Sequence, residues 1–311
     1  MTSRILFTLG IALIFAAGCS SRPRVAPTVD LQSGARVPPP DNQGDRGEIL
    51  VWVRNDSGQT RTFRLADEGA LNVLGQDDGI ILSTSRGELT WQAREKEVDL
   101  EGCEHFDGTP AVPTKGTITL ANLLGPNGDV VQKVVDSDGA EGGEIDDLQH
   151  HVNLLGTIGP YLFIHETSYV YACGAHGNTI ASALIWDADQ GKAINLVAEL
   201  PDKDKLVERA KGKLEEDDGD TGANKEESDG PSLAQFVPVY GERGALRVDA
   251  QFAEWACYAC SDGMWGSYTR SAVVPTEWVP ERMRAWVMPP VVVKEFLETH
   301  REWRLGGWSR R

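Results

Sequence analysis

The chain has 311 residues, with 47 acidic against 30 basic side chains and a formal charge of −17. That length allows one large domain or two ordinary ones of roughly 100–200 residues each, with enough core to fold without disulfides. The acidic balance excludes a duplex nucleic-acid binder, which needs Lys and Arg to displace phosphate counterions, and 41% hydrophobic side chains exclude wholesale disorder.

Met1 to Arg4 is a short positive start, Ile5 to Phe15 is an apolar run, and Ala16-Ala17-Gly18 places small residues directly before Cys19. The run is too short to span a membrane, which takes roughly 20 residues, but it suits the core of a secretory signal. The segment resembles the bacterial lipoprotein signal, although Ala16 stands where that family usually has Leu. The resemblance implies a signal peptide over 1–18, cleavage before Cys19 and acylation of that cysteine, including a palmitate-type chain. Each buried methylene adds about 0.8 kcal/mol of anchoring. Ser20, in place of Asp, favours the outer membrane in the family's sorting pattern, on either its periplasmic face or the cell surface. Residues 20–47 then hold Pro23, Pro27 and Pro38-Pro39-Pro40 among polar residues, and read as a tether.

From Glu48 the pattern changes to short apolar runs bounded by turns. Ile49–Val53, Thr62–Leu65, Gly79–Leu82, Glu88–Gln92, Val98–Leu100, Thr117–Leu123 and Val130–Val135 read as strands. Leu246–Phe252 is the clearest, because Leu246, Val248, Ala250 and Phe252 alternate with polar residues. Asp202–Glu216 carries a helical stripe of Leu206, Val207, Ala210 and Leu214, and Pro290–His300 reads as a C-terminal helix opened by proline. The expected fold class is α+β, a predominantly antiparallel sheet with two or three helices. The expected organisation is a β-rich region over 48–148 and an α+β binding domain over 149–311.

Asp136–Asp147 and Glu215–Gly230 are acidic, glycine-containing and without periodicity, so both read as surface loops. Neither has the spacing of a twelve-residue calcium loop. The last 31 residues carry +3 against −20 for the rest. Arginines alternate there with Trp303 and Trp308; such a tail can grip a partner, but the preferred reading is that its side chains lie over the parent domain.

Residues 169–196 contain an aromatic strand with Tyr169 and Tyr171, a Gly174-Ala175-His176-Gly177-Asn178 turn, and a second turn with Asp187, Gly191 and Lys192. This stretch resembles the extracytoplasmic domain shared by lysozyme-sensing anti-sigma factors and the non-catalytic part of some peptidoglycan deacetylases. The resemblance extends over roughly 150–285, with Gly244–Phe252, Tyr258 and Val279-Pro280 similar to closing strands. Cys173 departs from the pattern, standing where the family has its first glycine. The chain also lacks the family's cytoplasmic sigma-binding segment and membrane span, so sigma-factor regulation is not expected. The resemblance implies a binding or sensing module and brings no catalytic residue with it. His176 reads as a turn residue rather than a general base.

Four cysteines remain after Cys19: Cys103, Cys173, Cys257 and Cys260. In an exported chain they read as two disulfides, with three pairings open. The resemblance implies that Cys173 shares a sheet with the Cys257/Cys260 segment, which adds a cross-strand bridge there as one of the open pairings. Cys257-Tyr-Ala-Cys260 has redox spacing but no helix signal after it. Cys103, His105, Cys257 and Cys260 could ligate zinc only with an unusual Cys-x-His spacing. No cofactor or metal is expected. The expected function is non-enzymatic recognition of peptidoglycan or an envelope protein, with Tyr171, Trp255, Tyr258 and Trp265 as candidate binding side chains. The alternatives are an envelope enzyme, thiol-disulfide or glycan-active, and a purely structural envelope component.

Overall fold

The computed structural model describes residues 48–66, 69–73, 79–104, 111–136, 144–173, 177–200, 202–205, 208, 232–241, 244–253, 268–269 and 279–310. The strands in chain order are β1 (Ile49–Arg54), β2 (Thr60–Ala66), β3 (Gly69–Asn72), β4 (Ile80–Thr84), β5 (Gly87–Leu100), β6 (Thr114–Leu124), β7 (Val130–Val135) and β8 (Asp147–Ile158). They continue with β9 (Tyr161–Tyr171), β10 (Asn178–Asp187), β11 (Lys192–Ile194), β12 (Ser232–Tyr240), β13 (Leu246–Ala253), β14 (Tyr268–Thr269) and β15 (Arg304–Arg310).

They form three sheets: β15-β1-β2-β3, then β11-β10-β9-β8-β6-β5-β4 with β7 also on β6, and β12-β13-β14. Every strand pairing is antiparallel except β6 with β8, which touch through a single parallel bridge at Thr117 and Gln149.

The α+β expectation is corrected to a mainly β fold. Among the described residues the only complete α-helix is the nine-residue α1 (Val291–Thr299), alongside two 3-10 turns at Leu196–Glu199 and Glu281–Trp286. Among the described residues helices therefore form no layer of their own, and sheets pack on sheets. Of the Asp202–Glu216 expectation, residues 203–205 and 208 are helical, and the rest of its apolar stripe lies outside the described residues. Pro290 caps α1, consistent with proline's missing N–H costing nothing at a helix start. Val279-Pro280, expected in a closing strand, instead leads into the second 3-10 turn, with Val279 3% exposed in the core and Pro280 as its cap.

Two sequence-separated runs, Glu88–Gln92 and Val98–Leu100, are parts of the one strand β5. Its middle, Ala93 to Glu97, is exposed, which is why its apolar signal breaks. The boundary expected at 148/149 falls inside β8, within the eight-stranded sheet. The first and last described strands meet as well, since β15 pairs with β1 from Ile49/Arg310 to Arg54/Arg304.

That last pairing carries a bulge. Trp52 faces Gly307 and Val53 faces Leu305, leaving Gly306 as the extra residue on β15. Trp52 is 1% exposed, and its indole N–H donates to the Thr157 hydroxyl at 2.8 Å. A Cβ on Gly306 would overlap the Trp52 ring. One on Gly307 would overlap the Thr157 hydroxyl and lie 2.7 Å from the Thr157 carbonyl oxygen. The Gly-Gly pair is what lets a strand cross directly over a buried tryptophan.

The C-terminal tail is therefore structural. Trp308 is 1% exposed in a core cluster with Val51, Val53, Phe296 and Leu305, and Arg310 lies 5.3 Å over its ring. Arg61 covers Trp303 at 5.2 Å. A second cluster gathers Trp52, Leu82, Leu123, Leu162 and Ile164 between the sheets.

Candidate functional site

The residues that carried the family resemblance sit at one end of β9. Tyr169 and Tyr171 are two apart and so share a strand face; Tyr169 is exposed and Tyr171 half-buried. Of the motif turn, Gly177 is described, Asn178 opens β10 opposite Val170, and Gly174, Ala175 and His176 lie outside the described residues. Gly177 has a physical reason to be glycine, because a Cβ there would run into the Tyr169 ring and hydroxyl. The second turn is also structural. Asp187 is 1% exposed, its Oδ1 accepts from the Gln190 amide at 3.0 Å, and Gly191 takes φ +67° while donating to the Asp187 carbonyl at 2.7 Å.

Beside this end of the sheet, Cys103 and Cys173 form a disulfide across 70 residues, with Cα atoms 5.3 Å apart. Cys103 comes from the connection after β5 and Cys173 from the one after β9. Backbone bonds from Gly102 N–H to Ile145 O (3.1 Å) and from Asp146 N–H to Tyr171 O (2.9 Å) hold these connections side by side. The bridge implied between Cys173 and the Cys257/Cys260 segment is replaced by this one. Cys173 follows β9 of the eight-stranded sheet, whereas the strands flanking that segment, β13 and β14, belong to the three-stranded sheet. A disulfide-bonded Cys103 is also not a zinc ligand. Cys257, Cys260, Trp255, Tyr258 and Trp265 lie outside the described residues, as does Cys19.

His150 and His151 are neighbours on β8 and so point to opposite faces, His150 inside and His151 outside. What sequence reasoning missed is the cross-strand partner. His150 Nε2 lies 3.3 Å from Glu166 Oε2, while His150 Nδ1 is buried without a hydrogen-bond partner among the described residues. Residues 16 apart on adjacent strands meet only once register is known.

A second feature had no sequence signal. At the end of β1, Arg54 lines two adjoining clefts of about 390 and 500 Å³. The first is also lined by Thr60, Gln92, Arg94, Asn153 and Trp91, without an acidic side chain. The second has walls of Trp52, Leu155, Val237, Val239 and Leu305. The half-buried Arg54 guanidinium donates to the Leu154 carbonyl at 2.9 Å and stands 5.6 Å over the Trp52 ring. It has no carboxylate in ion-pair range among the described residues, and burial lowers its pKa. Asp56, in the second cleft, is held 2.8 Å from Arg304 on the exposed rim. Tyr240, also in that wall, donates to the Thr157 carbonyl at 2.8 Å, and full burial pushes its phenol well above the ordinary range.

Comparison with known proteins adds little to this geometry. No family model and no curated protein matches the chain. The chain is similar to a solved structure of a DUF3298 family protein from Pseudomonas aeruginosa PAO1, at 14% identity and a TM-score of 0.39, covering 66% of this chain and 96% of that one. A likeness of that size transfers neither fold nor function.

Proposed function

We propose that this protein is an envelope lipoprotein, anchored to the outer membrane through acylated Cys19, whose folded part is a non-enzymatic binding or sensing domain. Its ligand is peptidoglycan or an envelope protein. The observation that carries this reading is the Cys103–Cys173 bond. Disulfides persist in exported proteins and are reduced in the cytoplasm, so the bond agrees with an export signal at Met1–Cys19. The tether over 20–47 then holds the domain off the lipid surface, and the paired tyrosines at the end of β9 supply amphipathic rings for a contact surface.

The test uses the full chain in its native envelope. Cys19→Ala should move the protein from the membrane to the soluble periplasmic fraction, and the detergent-extracted chain should be retained on purified peptidoglycan or crosslink to one envelope protein. Joint replacement of Tyr171, Trp255, Tyr258 and Trp265 by Ala should abolish that retention. A Cys19→Ala protein that stays in the membrane, or a fourfold variant retained as well as the parent, would overturn the respective half of the proposal.

A further inference from the structure

We propose that the paired clefts at Arg54 form a binding site for the C-terminal carboxylate of an extended peptide, with Arg54 as the carboxylate anchor. This site is separate from the β9 surface and goes beyond the function proposed above.

The first argument is an uncompensated charge. Taking a guanidinium out of water costs free energy unless an anion accompanies it. Arg54 is half-buried and uses one donor on Leu154 O, leaving the rest of its five N–H groups without a protein acceptor among the described residues. Burial lowers its pKa with no neighbouring carboxylate acting against that. In a chain of net charge −17, the first cleft holds two arginines and no acid. A carboxylate entering it would take the bidentate geometry that arginine favours.

The second argument is shape. Arg54 stands where the first cleft meets the second, so a ligand anchored by its carboxylate would lay its adjoining atoms against Trp52, Leu155, Val237 and Leu305, with Asp56 held by Arg304 at the rim. The second cleft runs between β15 and β12, each the outer strand of its sheet among the described residues. Outer strands offer backbone donors and acceptors to an extended chain, and pockets beside them receive its side chains. A fatty acid makes no hydrogen bonds to those backbone groups, and a sugar acid lacks the alternating N–H and C=O of an extended chain that matches them along the strand.

The probe is acetyl-trialanine with a free carboxylate, titrated into the full detergent-solubilised chain by calorimetry. Its C-terminal amide and glucuronate serve as the comparison arms. The free acid should bind saturably, and the amide and glucuronate should each bind about tenfold more weakly or worse, as expected for loss of a charge-assisted hydrogen-bonded pair. Arg54→Met should weaken the acid by about tenfold, with Arg54→Lys in between because it keeps the charge but loses the fork. The exposed Arg94→Gln is the second variant if Arg54→Met fails to fold, and should weaken the acid by a few-fold. Equal binding of acid and amide, equal binding of glucuronate, undiminished binding by the Arg variants, or no saturable binding of the acid would each overturn the proposal. Peptidoglycan retention plays no part in this readout, so the two proposals stand or fall separately.

Discussion

At the residue scale, Cys173 explains its own departure from the family pattern. Its φ of +56° lies in the left-handed region, where a side chain costs about 1–2 kcal/mol and glycine almost nothing. The chain accepts that cost because the sulfur reaches Cys103 and closes a long loop, worth about 2–4 kcal/mol. Two double variants separate these effects. Both Cys103→Ser/Cys173→Ser and Cys103→Ser/Cys173→Gly should unfold at lower urea than the parent, by about 2–4 kcal/mol for the serine form. The glycine form should retain about 1 kcal/mol more than the serine form, because it relieves the left-handed backbone. Equal midpoints for the two would show that the backbone at 173 is not under that constraint. The sequence flagged position 173 as odd, but the partner could come only from coordinates.

At the element scale, β15 was hidden by the residues that make it possible. The reading of the last residues as an arginine-tryptophan tail does not mark Arg304–Arg310 as a strand, since paired glycines weaken a strand signal. Those glycines are the bulge and the crossing point over Trp52 and Thr157. Gly307→Ala should therefore cost about 2 kcal/mol by overpacking, lowering Tm by roughly 4–8 °C in a domain of this size. An unchanged melting curve would mean that β15 does not cross there. β8 differs: its burial alternates from Leu148 to Leu154 because one face is wet, with His150 inside and His151 outside.

At the scale of the whole molecule, β15 closes the chain on itself. It adds Leu305 and Trp308 to the cluster built from β1 and α1, and its Ser309 hydroxyl accepts the Ser83 amide of β4 at 2.8 Å. Ending the chain after Glu302 removes those contacts and leaves β1 as an unpaired edge with an apolar face. That protein should lose its cooperative thermal transition and bind a hydrophobic dye, as expected when a buried Trp and its strand ladder are removed together. A sharp transition near the parent's temperature would show that the four-stranded sheet is dispensable.

The sequence by itself determined the local features: most strand positions between residues 49 and 135, the helix opened by Pro290, and the turn from Asp187 to Gly191. These are encoded in neighbouring residues by period, turn chemistry and proline geometry. Tertiary structure alone decided that strands outweigh helices enough to make the fold mainly β, that Cys103 rather than the Cys257/Cys260 segment bonds Cys173, and that the last strand pairs with the first. It also decided that Arg54 stands between two clefts, the first of them lined by no acid among the described residues. Each depends on groups far apart in the chain, and side-chain pattern carries no information about which distant partner a strand, a thiol or a charge will meet.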